Sequence, residues 1–380
     1  MIMGVESIPA NLLRYRKAQG ITQEQLAKDI GISRQAYSAI EAGRSVPKSG
    51  TLVAIAQALD SSLPEILADP PSFSSLRFRS GRSMPKRDQA KRDVLLHDFR
   101  RWLDDYSFLV ELLEVGRRWR FEGVNGDDPT KAAAQARAAI DVEPDEPIDD
   151  IIGLLESAGA KVFTRDFEIP KVFGFSAGRS DNGPAIAVNT SPDISVERQI
   201  FTVAHELGHL IMHGSSYGSD SDDGEDREET EANQFASHFL LPKEAFEQEL
   251  RESAGLAIVD LVLHVKRKFR ISYRTVLFRL VGEYGFDNSL YSRFAVKYGQ
   301  QYGGNLRDHA EPDALQDPIA RDEVEGLTRH DFVESGLVRL VKQAYEKELI
   351  SASRAAEILQ VPLEAMRSLE SDWVDVDVGE

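Results

Sequence analysis

The chain has 380 residues and a formal net charge of −18 at pH 7. Its length is enough for two or three domains, and its acidity argues against a protein that coats nucleic acid over its whole surface. Because the chain has no cysteine, disulfides and thiolate metal sites are excluded, and any metal ion must be held by His, Asp or Glu. With no signal-peptide pattern and no apolar run of membrane-spanning length, we expect a cytoplasmic protein without a membrane partner.

Residues 8–68 carry the pattern of a compact unit of five short helices. Thr22 is placed as the N-cap of the second helix, and Gln25 three residues later predicts a capping box. Gly31 then breaks the chain, and Ser33 is placed to cap a third helix. A short helix, a glycine-containing turn and a serine-capped helix together predict a helix-turn-helix.

The stretch from Leu13 to Arg44 resembles the phage-repressor (Cro/C1, Xre-type) DNA-binding domain. The resemblance implies that residues 8–68 bind a DNA operator, with the helix that begins at Ser33 in the major groove. A palindromic operator would favour a homodimer. The implied contacts are Arg34, Gln35 and Ser38 to base edges, and Gln23 and Arg44 to phosphates.

The charge of this module leaves an alternative open. Residues 1–70 contain seven Lys or Arg and seven Asp or Glu, so a helical bundle used for protein pairing is the competing interpretation. Residues 76–92 hold seven basic residues against Asp88 alone. That run could add electrostatic affinity for DNA or be a solvated linker.

The middle of the chain changes from helical to mixed patterning. Residues 71–85 are predicted to be a linker, and the apolar spacing from about Pro85 to Arg120 predicts one long helix or two shorter ones. Short β-rich stretches then precede a helix at Ile194–Met212, and we expect the last strand before that helix to run along a cleft where a substrate strand can add. The predicted strands are Ala160–Thr164, Val172–Ser176 and Pro184–Val188.

The helix at Ile194–Met212 contains the sequence His-Glu-Leu-Gly-His at 205–209. Residues i and i+4 share one helix face, so His205 and His209 can offer their imidazoles to one metal ion, as in zinc proteases. Glu206 is placed to accept a proton from a water molecule. The competing interpretation is a buried helix that merely contains two histidines, but His and Glu are poor choices for an apolar helix.

A catalytic zinc needs a third protein ligand. His213 lies eight residues from His205, about 12 Å of helical rise, and is more suitable as a cap or as a support for a ligand. The metzincin extension requires Gly and His where this chain has Met212 and Ser215, so that arrangement is excluded.

An acidic helix at residues 228–242 remains as the source of the third ligand. Glu229 is favoured because Asn233 follows one turn later, where its side chain could hold a ring N–H of a ligating histidine. Glu231 and then Glu228 are the rivals, and the sequence does not decide among them.

The motifs from Phe201 to His213, Glu229 to Ala236 and Phe239 to Pro242 resemble the ImmA/IrrE family of bacterial metallopeptidases. The resemblance implies Zn²⁺, with Mn²⁺ as an alternative, held by His205, His209 and Glu229, with Glu206 as the catalytic base. It also implies site-specific cleavage of a helix-turn-helix repressor or antitoxin-like protein. The open alternative is a transcriptional regulator whose peptidase-like domain is a sensor or docking module. By residue type alone, Tyr217, His213 and His238 are candidates to stabilise an oxyanion.

We therefore predict a multidomain, mainly α protein. It combines a five-helix helix-turn-helix domain, an α+β zincin-like domain with a small sheet, and a helical C-terminal extension. We expect residues 286–325 to be loop or partly ordered, and residues 214–227 to be an acidic insertion beside the cleft. The predicted boundaries are 1–70 for the DNA-binding domain, 71–146 for a basic linker and helical connector, 147–250 for the peptidase core, 251–285 for its helical extension, and 286–380 for a loop and C-terminal helical region.

Overall fold

Most of the described residues are helical, which confirms the predicted mainly α class. The computed structural model describes residues 6–78, 84–124, 126–214, 225–303, 306, 311–312 and 336–373. These residues form two compact units, the first made of 6–73, 84–104 and 166–172 and the second of the remainder. None of the described helices is long and apolar enough to cross a membrane. Tyr217 and most of the acidic insertion lie outside the described residues.

The first unit contains the predicted five helices, and two of their N-caps are confirmed. Thr22 accepts a hydrogen bond from the backbone of Gln25, and Ser33 accepts one from Ala36, both at 3.1 Å. The predicted capping box is wrong, because the Gln25 side chain instead donates to Asp29, one turn along the same helix. The helices are α1 (Ile8–Gln19), α2 (Gln23–Asp29), α3 (Arg34–Glu41), α4 (Ser49–Ala58) and α5 (Leu63–Leu67).

A buried carboxylate joins three of these elements. Glu41 at the end of α3 accepts two hydrogen bonds from Arg16 of α1, at 2.6 and 3.0 Å, and one from the Tyr37 hydroxyl at 3.3 Å. The Gln23 side chain donates to the same carboxylate. Burial opposes the charge, but these hydrogen bonds outweigh it and lower the pKa of Glu41. The network therefore fixes α3 against α1 and α2.

The sheet of the second unit has four strands in the order β1-β3-β4-β2. β2 and β4 are parallel, β3 is antiparallel to β4, and β1 is antiparallel to β3. The strands are β1 (Leu76–Arg77), β2 (Lys161–Arg165), β3 (Gly174–Ala177) and β4 (Ala185–Asn189).

Two predictions about this region are wrong. The segment 71–85 is not only a linker, because it contributes β1. The last strand before the histidine helix, β4, does not border a cleft, because it is fully buried and paired on both sides. Its continuous apolar sequence is that of an interior strand, and the edges of the described sheet are β1 and β2.

The remaining helices begin with α6 (Lys86–Leu113). It is a single long helix, which was one of the two arrangements predicted for the segment from Pro85 to Arg120. One buried core of the second unit includes side chains of the helices Val196–Met212, Glu225–Leu240, Ile258–Phe269 and Tyr273–Glu283. A described helix at Ser289–Tyr302 overturns the prediction that this part of 286–325 is loop or partly ordered. Leu290, Phe294 and Tyr298 recur every fourth residue there and are buried, and this stripe outweighs the polar composition. The helices are α6 (Lys86–Leu113), α7 (Pro129–Ala139), α8 (Ile151–Ser157), α9 (Val196–Met212), α10 (Glu225–Leu240), α11 (Lys243–Glu252), α12 (Ile258–Phe269), α13 (Tyr273–Glu283), α14 (Ser289–Tyr302), α15 (Gly336–Glu346), α16 (Ala352–Ile358) and α17 (Leu363–Asp372).

Close packing of α9 against α10 places the histidines beside the acidic helix. A Cβ on Gly208 would lie 2.9 Å from the ring of Phe235, so only glycine allows this approach. The buried Arg279 of α13 donates to the carbonyl of Leu241, at the end of α10, at 2.7 Å. α10 is therefore held both along its length and at its C-terminus.

Candidate metal centre and nucleic-acid interface

Three side chains converge where α9 faces α10. The Nε2 atoms of His205 and His209 are 3.1 Å apart. The two carboxylate oxygens of Glu229 lie 3.4 Å from the Nε2 of His205 and 3.3 Å from that of His209. One ligand atom from each residue lies within 4.8 Å of the others. Two imidazole nitrogens and one carboxylate form a donor set suited to zinc, with a coordination position left open.

The other ring nitrogen of each histidine is held by a neighbouring side chain. His205 Nδ1 lies 3.0 Å from the amide oxygen of Asn233, where the spacing on α10 predicted a support. His209 Nδ1 lies 2.9 Å from Nδ1 of His213, whose Nε2 lies 3.1 Å from Glu231. Such supports orient the rings of metal-binding histidines.

The contacts that run from Glu231 through His213 to His209 also determine which ring nitrogen of each histidine carries a proton. A carboxylate only accepts hydrogen bonds, so the contact with Glu231 assigns the proton of His213 to Nε2 and leaves Nδ1 as an acceptor. His209 then donates through Nδ1–H, and its Nε2 carries the lone pair that a metal ion needs. His213 is thus both the C-cap of α9 and a support for a candidate ligand, and the rival Glu231 contacts His213.

The pKa values in this cluster favour the forms that bind a cation. Burial lowers the pKa of His209 to about 4, so its ring is neutral at pH 7. Burial opposes the charge of Glu229, but the close imidazoles of His205 and His209 outweigh it and lower its pKa. The cluster therefore presents a neutral imidazole and a carboxylate anion at one point.

Glu206 lies on the side of α9 that faces β3 and is buried. The Ser176 hydroxyl of β3 donates to its carboxylate at 2.6 Å, and burial raises its pKa. A Cβ on Gly174 would lie 2.5 Å from a Thr202 methyl group and 3.5 Å from the Glu206 side chain. β3 can therefore lie close to α9, a proximity that the sequence did not reveal.

The role of Arg77 was not evident from the sequence, where this residue belongs to a basic run. The Arg77 guanidinium on β1 lies 2.5 Å from Glu228 and 3.5 Å from Glu229. Glu228 is therefore paired with this arginine. Among the oxyanion candidates, His238 lies 3.5 Å from Glu283 and His213 supports His209.

The candidate DNA-contact residues of the first unit share one surface hollow. Arg34, Gln35 and Ser38 of α3 line it together with Gln23 and Arg44. Arg34, Gln35 and Arg44 are exposed to solvent, whereas the Gln23 side chain already donates to Glu41. Ser33, the first residue of the candidate set on this helix, is its N-cap, and the other five candidates share the hollow.

This geometry defines a protein with a helix-turn-helix domain and a separate unit that can hold a metal ion between two histidines and a glutamate. Comparison with known proteins agrees with both parts. Residues 155–281 match the sequence profile of the IrrE N-terminal-like domain of the peptidase M78 family, and residues 12–66 match the helix-turn-helix profile. The chain thus joins a transcriptional-regulator type of DNA-binding domain to an IrrE-like peptidase domain.

Two curated relatives are similar to the N-terminal part. The uncharacterized HTH-type transcriptional regulator YqaE of Bacillus subtilis is 42% identical over 57 residues, which are 15% of this chain and 49% of that protein. The cryptic phage CTXphi transcriptional repressor RstR of Vibrio cholerae is 42% identical over 59 residues, 16% of this chain and 53% of that protein. The chain therefore spans about half the length of each relative.

Proposed function

We propose that the chain is a DNA-binding regulator whose second unit is a zinc-dependent endopeptidase of the glutamate-zincin type. The observation that carries the proposal is the convergence of His205, His209 and Glu229, with the buried Glu206 directly after His205. The proposed substrate is a helix-turn-helix repressor or antitoxin-like protein, as the resemblance to the ImmA/IrrE family implies.

His205, His209 and Glu229 would hold the cation through two Nε2 atoms and a carboxylate oxygen. When bound, such a cation supplies a Lewis acid that polarises a peptide carbonyl and acidifies water. Glu206 accepts a proton from the attacking water and returns it to the leaving amine. Burial raises the pKa of Glu206, which makes its carboxylate a stronger base, and Ser176 holds the carboxylate in place.

The test is a search for new N-termini in an extract of the source organism. The purified chain, supplied with zinc, is compared with Glu206→Gln, and metal content is measured for both. We expect equal metal content and cleavage fragments only from the parent. Asp226→Asn, at an exposed acidic position on the same helix, is the matched control and should still cleave. Fragments of equal yield from Glu206→Gln would overturn the mechanism, and loss of metal from Glu231→Gln but not from Glu229→Gln would overturn the ligand assignment.

The DNA-binding half of the proposal rests on the shared hollow of α3 and its neighbours. Arg34 and Gln35 are exposed on the first turn of the helix that the resemblance places in the major groove, and Arg44 is exposed beside them. We expect Arg34→Ala to weaken binding to the operator by about 1–3 kcal/mol and to relax sequence preference. Arg44→Ala should weaken binding to all sequences alike.

Fluorescence anisotropy on DNA from the chain's own promoter, at two salt concentrations, checks this assignment. Lys28→Ala, a charge deletion at the end of α2, is the control and should leave binding close to that of the parent. Equal loss for Lys28→Ala and Arg34→Ala would show that only general charge matters.

A further inference from the structure

The strand β1 lies outside the part of the chain that matches the peptidase family. That match begins at residue 155, whereas β1 belongs to residues 74–78, which end 77 positions before it. β1 pairs antiparallel with β3, with Arg77 opposite Ser176 and Leu76 opposite Ala177. Since Ser176 contacts Glu206, residues 74–78 cover the sheet edge beside the candidate base.

The backbone of residues 74–78 is held by the Asp181 carboxylate and by the backbone of Gly178. The Asp181 carboxylate, 5% exposed, accepts hydrogen bonds from the backbone N–H groups of Ser74 and Ser75, at 2.9 and 2.5 Å, and from both of their hydroxyls. The backbone N–H of Gly178 donates to the Ser75 carbonyl at 2.8 Å. A buried carboxylate with this set of donors is a docking point for an extended peptide.

Two side chains of residues 74–78 also make specific contacts. Arg77 reaches Glu228 and Glu229, and the ring of Phe78 lies 5.1 Å from that of Phe175 on β3. Residues that face each other in an antiparallel pair project from the same face of a sheet. Arg77 and Ser176 therefore both point towards the metal centre.

Extended peptides commonly bind by adding a strand to a sheet edge, where backbone hydrogen bonds give affinity and side-chain contacts give specificity. We propose that residues 74–78 are an internal strand bound where the extended substrate docks, and that a substrate must displace them. This inference rests on the proposed peptidase function. The substrate segment would be extended, with a basic side chain directed at Glu228 and Glu229 and an aromatic side chain next to it.

Tethering makes the internal strand a strong competitor. A segment attached to its own binding edge has an effective concentration in the millimolar range. A free peptide with the same contacts therefore binds measurably only after the internal strand has been released. The proposal can therefore be tested by comparing peptide binding with the internal strand in place and with it released.

The experiment compares the full-length parent with the double variant Ser75→Pro, Arg77→Glu. Proline removes the N–H that Asp181 accepts, and the glutamate repels Glu228 and Glu229, while β3 and Asp181 are unchanged. Lys86→Glu, an exposed charge reversal further along the same connector, is the matched control. Hydrogen exchange of residues 174–178 reports whether the edge is covered, and the probe is the synthetic peptide Phe-Ser-Ser-Leu-Arg-Phe, the sequence of residues 73–78.

We expect exchange at the Gly178 amide to rise by about tenfold or more in the double variant and to stay unchanged in the control, because a paired edge amide becomes open to solvent. The peptide, added at millimolar concentration, should restore protection in the double variant, and a version with Glu in place of Arg should not. Unchanged exchange in the double variant, or no protection from the peptide, would overturn the proposal. Neither readout needs metal or turnover, so such a result leaves the peptidase proposal to its own test.

Discussion

The two candidate histidine ligands are supported differently, and this difference predicts unequal effects of removing each support. His213, 6% exposed, contacts His209, which is 1% exposed, whereas Asn233 contacts His205 from an exposed position. A buried polar group that loses its partner costs about 1–3 kcal/mol, which is roughly 5- to 150-fold in affinity. Water can replace Asn233, so its loss should cost about 0.5–1 kcal/mol, the net value of an ordinary hydrogen bond. His213→Ala should therefore weaken zinc binding about tenfold more than Asn233→Ala.

Competition with a chromophoric zinc chelator at neutral pH measures both affinities. His238→Ala is the matched control, because it removes another half-buried histidine that pairs with Glu283, and it should leave zinc affinity unchanged. Circular dichroism establishes that each variant is folded before titration. Equal losses for His213→Ala and Asn233→Ala would refute the argument from burial, and a loss in His238→Ala would refute the assignment of the ligands' supports.

Three further perturbations test the surrounding structure. Glu41→Ala should destabilise the first unit by about 1–3 kcal/mol, because it removes the carboxylate partner of a half-buried guanidinium, and hydrogen exchange of α1–α3 should rise far more than for the exposed Glu24→Ala. Burial, aided by the neighbouring Arg279, lowers the pKa of His238 to about 4. In the unfolded chain the pKa of this histidine is about 6.5, so between about pH 6.5 and 4 the unfolded state binds one proton that the folded state does not. Stability should fall as pH falls through that window, and urea titrations of His238→Gln should show a shallower fall, whereas an unchanged slope would exclude this histidine as the cause. Gly174→Ala would place a methyl group 2.5 Å from Thr202, so we expect about 1–3 kcal/mol of destabilisation, seen as a lower Tm, and an unchanged Tm would contradict the proximity of β3 and α9.

The sequence predicted those features that depend on residues close together in the chain. The caps at Thr22 and Ser33 and the four-residue spacing on α9 depend only on neighbours within one or two turns, so the sequence contains them completely. The same applies to Asn233, which lies one turn after Glu229 and contacts His205.

Long-range pairing explains what the sequence did not show. β1 has two residues, too few for any alternation, and its partner Ser176 lies about a hundred residues further along the chain. The choice between Glu229 and Glu231 depends on how α10 is rotated relative to α9, since the two residues are about 200° apart around the helix. The packing of Gly208 against Phe235 limits that rotation, and within α10 only the spacing of Glu229 and Asn233 favoured one of the two residues.

Helix α3 has one face in the domain core and another in solvent. Tyr37, Ile40 and Glu41 are buried and hold the helix in the domain, whereas Arg34 and Gln35 face solvent. Substitutions at the exposed positions change little of the folding free energy, since surface changes are usually within about 0.5 kcal/mol. If these residues read the operator, the preferred DNA sequence can diverge between related proteins without loss of the domain, and new repressor specificities can evolve on an unchanged scaffold.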